Sequence, residues 1–97
     1  MTKLPVPVSF DWDKANINKN WEKHKVSYRE AEEIFTNGSL KTFKDKKHSQ
    51  KELRFSALGI TDKKRTLYVS FTIRDLKIRI ISARDQSRKE RKLYEEL

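Results

Sequence analysis

Cysteine is absent from this 97-residue sequence, and glycine and proline occur only twice each. Without cysteine there is no disulfide framework, and the two histidines, far apart in the sequence, do not make a structural zinc site. The scarcity of glycine and proline excludes the collagen-like and low-complexity classes. No glycine-rich phosphate-binding motif occurs either, so the sequence predicts neither a metal nor a cofactor.

Long apolar runs are also missing. No stretch reaches the roughly 18 residues that a membrane-spanning helix needs, and residues 1–10 hold no run of signal-peptide length, so we expect a cytoplasmic protein. Basic residues are plentiful: 23 lysines and arginines stand against 14 acidic residues, a net charge of +9. This charge favours nucleic acid as the partner. A membrane surface is the weaker alternative, because no predicted helix has a broad apolar face opposite lysines.

The chain length supports a single domain, and the aromatic residues, 10% of the chain, can build its core. Residues 1–7 are predicted to be a flexible N-terminal arm, and residues 8–97 to form the domain. At its start, residues 8–12 alternate like a short strand. Residues 14–25 are predicted to form a helix that Asp13 caps.

The spacing of Ile17, Trp21 and His24 predicts that these side chains share the apolar face of the first helix. Both tryptophans of the chain, Trp12 and Trp21, are expected in the core, and the alternative is that they are platforms on which nucleic-acid bases stack. Ser27 and Glu30 fit a capping box, in which each side chain binds the backbone N–H of the other residue, and this predicts the start of a second helix.

From residue 40 onward the apolar period changes to two, which indicates four strands, near residues 40–43, 53–58, 67–74 and 77–84. Ile81 breaks the alternation and indicates a β-bulge. The short polar connections favour antiparallel neighbours. A second capping box at Ser87 predicts a closing helix. The predicted fold class is α+β, with two N-terminal helices, an antiparallel β-meander sheet and a C-terminal helix.

Strand alternation also places three arginines together. If the apolar side chains of residues 67–73 face the core, then Arg54, Arg74 and Arg79 share the opposite face of the sheet. Guanidinium groups bind phosphate through two parallel hydrogen bonds, so this face suits an RNA or DNA backbone. The alternative is that the arginines are simply solvated, as charged side chains on open sheet faces usually are.

Candidates for proton transfer lie close to these strands in the sequence. His48, in a lysine-rich loop, titrates near neutral pH and could act on a ribose hydroxyl, or it could be an ordinary loop histidine. Glu52 is a general base or an ion-pair partner of an arginine. These residues would permit RNA cleavage in which the 2′-hydroxyl attacks the adjacent phosphorus while cations stabilise the transition state. Tyr94 is either a packing residue of the last helix or part of the site.

Several segments, taken in order along the chain, resemble the BrnT family of toxins. They are Phe10-Asp11-Trp12-Asp13, Lys14, Asn18, Lys23-His24, Val26-Ser27, Glu30-Ala31, the spaced residues Asp45, His48, Glu52 and Arg54, then Leu58-Gly59, Phe71-Thr72 with Arg74, Ile78-Arg79-Ile80-Ile81-Ser82-Ala83-Arg84, and Arg88, Glu90-Arg91 and Tyr94. The resemblance covers about residues 8–97. Two departures stand out: Lys25 occupies a position where the family usually has glycine, and Ile73 one where it often has an acidic residue.

The resemblance implies a RelE-like fold and a metal-independent ribonuclease that inhibits translation. It also implies functional roles for eight residues. The implied catalytic residues are Arg74, Arg79, Arg84, Glu52 and His48. The implied substrate-binding residues are Arg54, Thr72 and Tyr94.

The implied partners are an RNA substrate and a BrnA-type antitoxin of the ribbon-helix-helix class. Two toxins and two antitoxins would form a heterotetramer, which would repress its own operon by binding operator DNA through the antitoxin. The alternative reading is a non-catalytic basic module that binds nucleic acid or an antitoxin without cutting RNA.

Overall fold

The structure is a computed structural model and describes residues 4–5, 7–48 and 52–97. The elements of these residues are α1 (Lys19–His24), α2 (Tyr28–Thr36), β1 (Lys41–Asp45), a 3-10 turn (Lys46–His48), β2 (Arg54–Ile60), β3 (Thr66–Arg74), β4 (Lys77–Asp85) and α3 (Arg88–Glu96). The strands form one antiparallel sheet in the order β1-β2-β3-β4. The predicted α+β class and β-meander are therefore confirmed. The RelE-like topology stays a prediction.

One side of the sheet packs against α2 and forms the hydrophobic core. The apolar stripe of α2 buries Ile34 and Phe35, and Phe35 meets Phe71 of β3 edge to face, with ring centroids 5.1 Å apart. The Ser27 hydroxyl accepts a hydrogen bond from the Glu30 N–H at 3.1 Å, and the Glu30 carboxylate accepts one from the Ser27 N–H at 3.0 Å. The predicted capping box is confirmed, and α3 begins with the same motif.

The first helix is shorter than predicted, because Asp13 does not cap it. The Asp13 carboxylate instead accepts hydrogen bonds from the N–H groups of Ala15 and Asn16, at 2.9 and 3.0 Å, and so holds a turn. The Asn16 side chain in turn accepts from the Asp13 N–H at 2.8 Å. These side-chain hydrogen bonds stabilise a turn at residues 13–16 in place of the predicted first turn of the helix. The helix α1 begins only at Lys19, after the N-cap residue Asn18.

The predicted apolar face of α1 is also wrong. Trp21 is half exposed and His24 is exposed, whereas Asn20 is the buried residue of this helix. The Asn20 side chain accepts a hydrogen bond from the backbone N–H of Ala83 in β4, at 3.0 Å. A polar side chain therefore attaches α1 to the sheet, and the helix has no apolar stripe to bury. Trp12, as predicted, packs against the core.

The segment before α1 lies along the outer edge of β4. The predicted strand at residues 8–12 forms only an isolated parallel bridge, between Phe10 and Ile78. The Asp11 N–H donates to the Ile78 carbonyl, and the Ile78 N–H donates to the Ser9 carbonyl, both at 2.8 Å. Leu4 contacts the core as well. The flexible arm at residues 1–7, of which 1–3 and 6 lie outside the described residues, stays a prediction.

The predicted bulge is confirmed at Ile81. Ser70 pairs with Ser82, but the next residue of β3, Phe71, pairs with Ile80, so Ile81 is an extra residue on β4. The bulge lets Ile80 and Ala83, three residues apart, both face the core and both be buried.

The turn between β3 and β4 contains two non-glycine residues with left-handed backbone conformations. Asp75 has φ 50° and Leu76 has φ 63°, and the Leu76 side chain is 77% exposed. A hairpin turn in which both central residues have a left-handed backbone conformation favours glycine at those positions. We expect Leu76→Gly to raise the free energy of unfolding by roughly 0.5–1 kcal/mol, the relief of strain less the added freedom of the unfolded chain.

Urea unfolding of both proteins measures this change. Lys77→Gly serves as the control, because Lys77 lies next in the chain but is not among the positive-φ residues. Glycine there should destabilise the protein. Equal destabilisation by the two glycines would contradict the assigned turn geometry.

Candidate nucleic-acid interface

The side of the sheet opposite the core carries a row of polar side chains across three strands. The register pairs Arg54 of β2 with Thr72 of β3, and Thr72 with Arg79 of β4. Because Phe71, the residue before Thr72, is buried in the core, this row lies on the other side of the sheet, and Arg74 shares that side two residues further along β3. We call these four residues the arginine face. The predicted juxtaposition of the three arginines is confirmed.

Arg74 is held by Glu52. Its Nε and Nη2 atoms donate to the two carboxylate oxygens of Glu52, at 3.1 and 2.8 Å. The hydrogen bonds from Arg74 lower the pKa of the Glu52 carboxyl, and the Arg54 and Arg79 charges add to this effect. A carboxylate with a lowered pKa is ionised at neutral pH but is a weak proton acceptor. The geometry therefore favours the ion-pair reading of Glu52 over general base.

Arg79 is held by two carboxylates from the N-terminal segment. Its Nη2 donates to Asp13 at 3.0 Å, and its Nη1 lies 3.5 Å from Asp11. The hydrogen bond from Arg79 lowers the pKa of Asp13, as do the N–H groups of the turn that follows it. These contacts fix the direction of the guanidinium group, which leaves it preorganised for an anionic ligand.

Thr72 lies at the centre of the row but is buried. Its hydroxyl donates to the backbone carbonyl of Leu53 at 2.6 Å. This contact attaches the segment before β2 to the floor of the arginine face. The hydroxyl proton is thus already used within the protein, and the substrate-binding role of Thr72 stays a prediction.

Arg84 lies on the same side of the sheet but outside this row. It stacks on the ring of Tyr68, 4.1 Å from the centroid, and donates through Nη1 and Nη2 to the two oxygens of Glu90, at 2.8 and 3.0 Å. Tyr68 and Thr72 are four residues apart on β3, so roughly 13 Å separates Arg84 from the centre of the arginine face. Arg84 joins β4 to α3.

Between Arg84 and the arginine face lies a row of small polar side chains. The register aligns Ser56, Ser70 and Ser82 on the three strands. The Ser56 hydroxyl lies 3.0 Å from the Tyr68 hydroxyl, within hydrogen-bond distance. Small polar side chains, of which Ser70 is buried, therefore lie between the two groups of cations.

The other two predicted site residues are not brought into this row. The Tyr94 hydroxyl donates to the backbone carbonyl of Ser39, which anchors α3 beside the start of β1. This contact corresponds to the packing reading of Tyr94. His48 ends the 3-10 turn, and its side chain lies outside the described part of the structure.

The pair between Glu90 and Arg84 should make stability depend on pH. Hydrogen bonds from Arg84 hold the pKa of Glu90 below its ordinary value of 4.5. The stabilisation is therefore complete above about pH 4.5 and is lost as the pH falls through the lowered value. We expect Glu90→Gln, which keeps the capping geometry, to cost roughly 0.5–1 kcal/mol at pH 7 and less at pH 3, where the carboxylate is already protonated in the unfolded chain.

Thermal unfolding of the two proteins at both pH values checks this expectation. Glu95→Gln, also on α3 and exposed, is the matched control and should change little at either pH. A Glu90→Gln penalty that is equal at pH 3 and pH 7 would show that its charge is not responsible.

Sequence reasoning anticipated an ion pair between Glu52 and an arginine but missed three other carboxylates that hold arginines. The sequence pattern assigns Asp11 to a strand and Asp13 to a helix cap, yet both carboxylates contact Arg79. Glu90, the glutamate of the second capping box, also contacts Arg84. No local pattern gives such pairs, because 66 residues separate Asp13 from Arg79. The pairing of Arg84 with Tyr68, in contrast, follows from the strand register once the bulge at Ile81 is included.

Comparison with known proteins identifies a family. The family model described as "Ribonuclease toxin, BrnT, of type II toxin-antitoxin system" matches residues 12–90, which is more than half of the chain. No curated protein matches the sequence. Of the helices in the described residues, none is long and apolar enough to cross a membrane. These same residues hold no group of three or more side chains suited to binding a metal ion.

Proposed function

The chain belongs to the BrnT family of ribonuclease toxins of type II toxin–antitoxin systems, and on this premise we propose that it is a metal-independent endoribonuclease whose arginine face binds the scissile phosphate. The family implies an RNA target and an antitoxin partner. The observation that supports this placement of the site is the register row of Arg54, Thr72 and Arg79, with Arg74 beside it.

The chemistry that suits this surface uses a nucleophile from the substrate. The ribose 2′-hydroxyl loses its proton to a base and attacks the adjacent phosphorus. The bond to the 5′-oxygen breaks, an acid supplies a proton to that oxygen, and a 2′,3′-cyclic phosphate remains. Negative charge accumulates on the phosphoryl oxygens in the transition state, where two or three fixed guanidinium groups stabilise it most.

Our assignment of roles follows the contacts of each group. Arg79 and Arg74 bind the phosphoryl oxygens, because carboxylates already fix the direction of both guanidinium groups: Asp11 and Asp13 hold Arg79, and Glu52 holds Arg74. Glu52 positions Arg74, since its lowered pKa makes it a weak base. We assign proton transfer to His48, because an imidazole can both accept and donate a proton. Arg84 contacts RNA further along the strand while it joins α3 to the sheet.

The biological setting is also part of the proposal. The protein acts in the cytoplasm, has a RelE-like fold and inhibits translation by cleaving RNA. A BrnA-type ribbon-helix-helix antitoxin neutralises it in a heterotetramer of two toxins and two antitoxins. Operator DNA is bound through the antitoxin, which lets the complex repress its own operon. The net charge of +9 supports both RNA and an acidic antitoxin surface as ligands.

The test is RNA cleavage by purified protein freed of antitoxin. A defined RNA is incubated in EDTA, with and without ribosomes, and analysed on a denaturing gel beside the same RNA carrying 2′-O-methyl groups. We expect discrete fragments from the unmodified RNA alone. Cleavage of both RNAs would contradict attack by the 2′-hydroxyl, and cleavage that requires Mg²⁺ would contradict metal independence. Intact RNA with salt-dependent binding would favour the non-catalytic module.

A further inference from the structure

Trp21 is an unusual residue for the place it occupies. Its side chain is 50% exposed on a helix of six residues. The ammonium group of Lys25 lies 5.5 Å from the centroid of its ring. Residues 14–25 contain four lysines and one glutamate, so the exposed indole lies in a strongly basic segment.

The helix that carries Trp21 is anchored firmly although it adds almost nothing to the core. Asn20 binds the Ala83 N–H, and the Lys19 ammonium donates to the carbonyl of Ile81 at 3.1 Å. At the other end, Arg65 donates to the carbonyl oxygens of Lys25 and His24, at 2.7 and 3.1 Å. These contacts satisfy the end of the helix and hold it against the edge of β4. They do not use the Trp21 ring.

This edge of the sheet adjoins the arginine face. Arg79 lies on β4, and the Asp13 carboxylate that holds it belongs to the turn leading into α1. The Lys19 contact at Ile81 is only two residues along β4 from Arg79. The turn that follows Asp13 and the Lys19 contact at Ile81 thus connect the helix that carries Trp21 to the strand that carries Arg79.

We propose that Trp21, with the Lys25 ammonium group over its ring, is a base-stacking subsite for single-stranded RNA that extends beyond the arginine face. Positively charged surfaces with exposed aromatic rings bind single strands in this way, because every base can stack and every phosphate can meet a cation. The inference rests on the proposed function for the identity of the ligand. The exposed ring, the rigid helix and the local charge support it independently of the chemistry at Arg79.

An antitoxin surface is the competing occupant for an exposed tryptophan. RNA is favoured because the segment around Trp21 holds four lysines against one glutamate, and because its helix is attached to the strand that carries Arg79. A protein partner would need to neutralise these charges with acidic residues of its own. The experiment below separates the two.

The full-length protein and three variants are compared: Trp21→Ala, Trp21→Phe and the control Lys63→Ala. Lys63 is an exposed lysine of the turn between β2 and β3. Fluorescence anisotropy gives the Kd for 2′-O-methyl single strands of about 12 and about 4 nucleotides, a range taken from known single-strand sites. Quenching of tryptophan fluorescence is followed in the same titrations, and cleavage of unmodified RNA is measured separately.

We expect Trp21→Ala to weaken binding of the longer strand roughly tenfold, with little change for the shorter one. Trp21→Phe should retain most of the affinity, and Lys63→Ala nearly all of it. Binding of the longer strand by Trp21→Ala with wild-type affinity would overturn the subsite, even if the wild-type protein cleaves RNA. Quenching by a cognate antitoxin but not by RNA would overturn it in favour of a protein contact.

Failure of the proposed function has a different signature. If the wild-type protein does not cleave unmodified RNA but the Trp21 effect on binding remains, the catalytic proposal fails and the subsite stands. If the wild-type protein binds neither strand, both fail.

Discussion

Replacing Arg79 by alanine is expected to lower the rate of RNA cleavage by roughly 10²–10³-fold, the usual cost of removing one preorganised charge at a reacting centre. Arg79 lies at the β4 end of the row that Arg54 and Thr72 complete. Its loss frees two carboxylates, Asp11 and Asp13, which are both partly exposed, so the fold should lose little stability. Cleavage of a fluorescent RNA and growth after induction measure the effect.

Two further variants show whether geometry or charge matters. Arg79→Lys keeps the charge but loses the planar fork, so we expect an intermediate rate. Arg29→Ala removes an exposed arginine from α2, on the other side of the sheet, and should cleave RNA like the wild type. Full cleavage by a folded Arg79→Ala protein would refute the assignment of this residue.

Gly59→Ala is expected to lower the free energy of unfolding by roughly 2–3 kcal/mol, the upper range for inserting a methyl group into a packed interior. An added Cβ would lie 2.6 Å from the Cβ of Ile34, 3.1 Å from its Cγ2 and 3.2 Å from the Ser39 hydroxyl oxygen. The nearest atom is fixed to the α2 backbone, so relief requires the whole helix to move. For a domain of this size, Tm should fall by roughly 10–20 °C.

Gly38, the other glycine of the chain, provides the comparison. No atom lies within 4 Å of its added Cβ, but its φ is +82°. Gly38→Ala should therefore cost roughly 1–2 kcal/mol through backbone strain alone. If Gly59→Ala is as stable as the wild type, the close approach of α2 to β2 is wrong.

Elements with strong local signals could be predicted from the sequence. Both capping boxes and all four strands lie where alternation and turn residues indicate, and Ile81 marks the bulge because it interrupts a clear period of two. The alternation also brings Arg54, Arg74 and Arg79 to one side of the sheet. In these segments one face of the strand or helix is buried, and the spacing of the apolar residues in the sequence shows which face it is.

The first helix could not be predicted in the same way. The spacing of Ile17, Trp21 and His24 suggested an apolar face, but α1 attaches to β4 through the side chain of Asn20. A buried hydrogen bond of this kind has no periodic signature. The helix ends at its C-cap residue Lys25, whose φ of 56° is a left-handed backbone conformation. Glycine adopts this conformation more easily, and glycine is usual at this position in the family that the sequence resembles.

The cations of the candidate site were predictable, but of the groups that hold them only Glu52 was anticipated as an ion-pair partner. Which carboxylate meets which guanidinium depends on tertiary packing, since Arg74 and Glu52 belong to different segments, as do Arg79 and Asp13. Tyr94 could equally have packed or faced the site, and its hydroxyl binds Ser39. A sequence pattern predicts on which side of a strand or helix a side chain lies. Which side chains then form ion pairs or hydrogen bonds depends on how the elements pack together.

The edge of β4 that Phe10 and Asn20 occupy has a consequence for self-association. A sheet edge with free backbone groups can template the addition of another chain, which is a route to aggregates. Here the backbone N–H groups of Ile78 and Ala83 are already bonded to Ser9 and Asn20. Strand addition is thereby directed to β1, a strand of five residues. Lys41 and Lys44 of β1 would repel the same strand of a second copy and limit edge-to-edge aggregation.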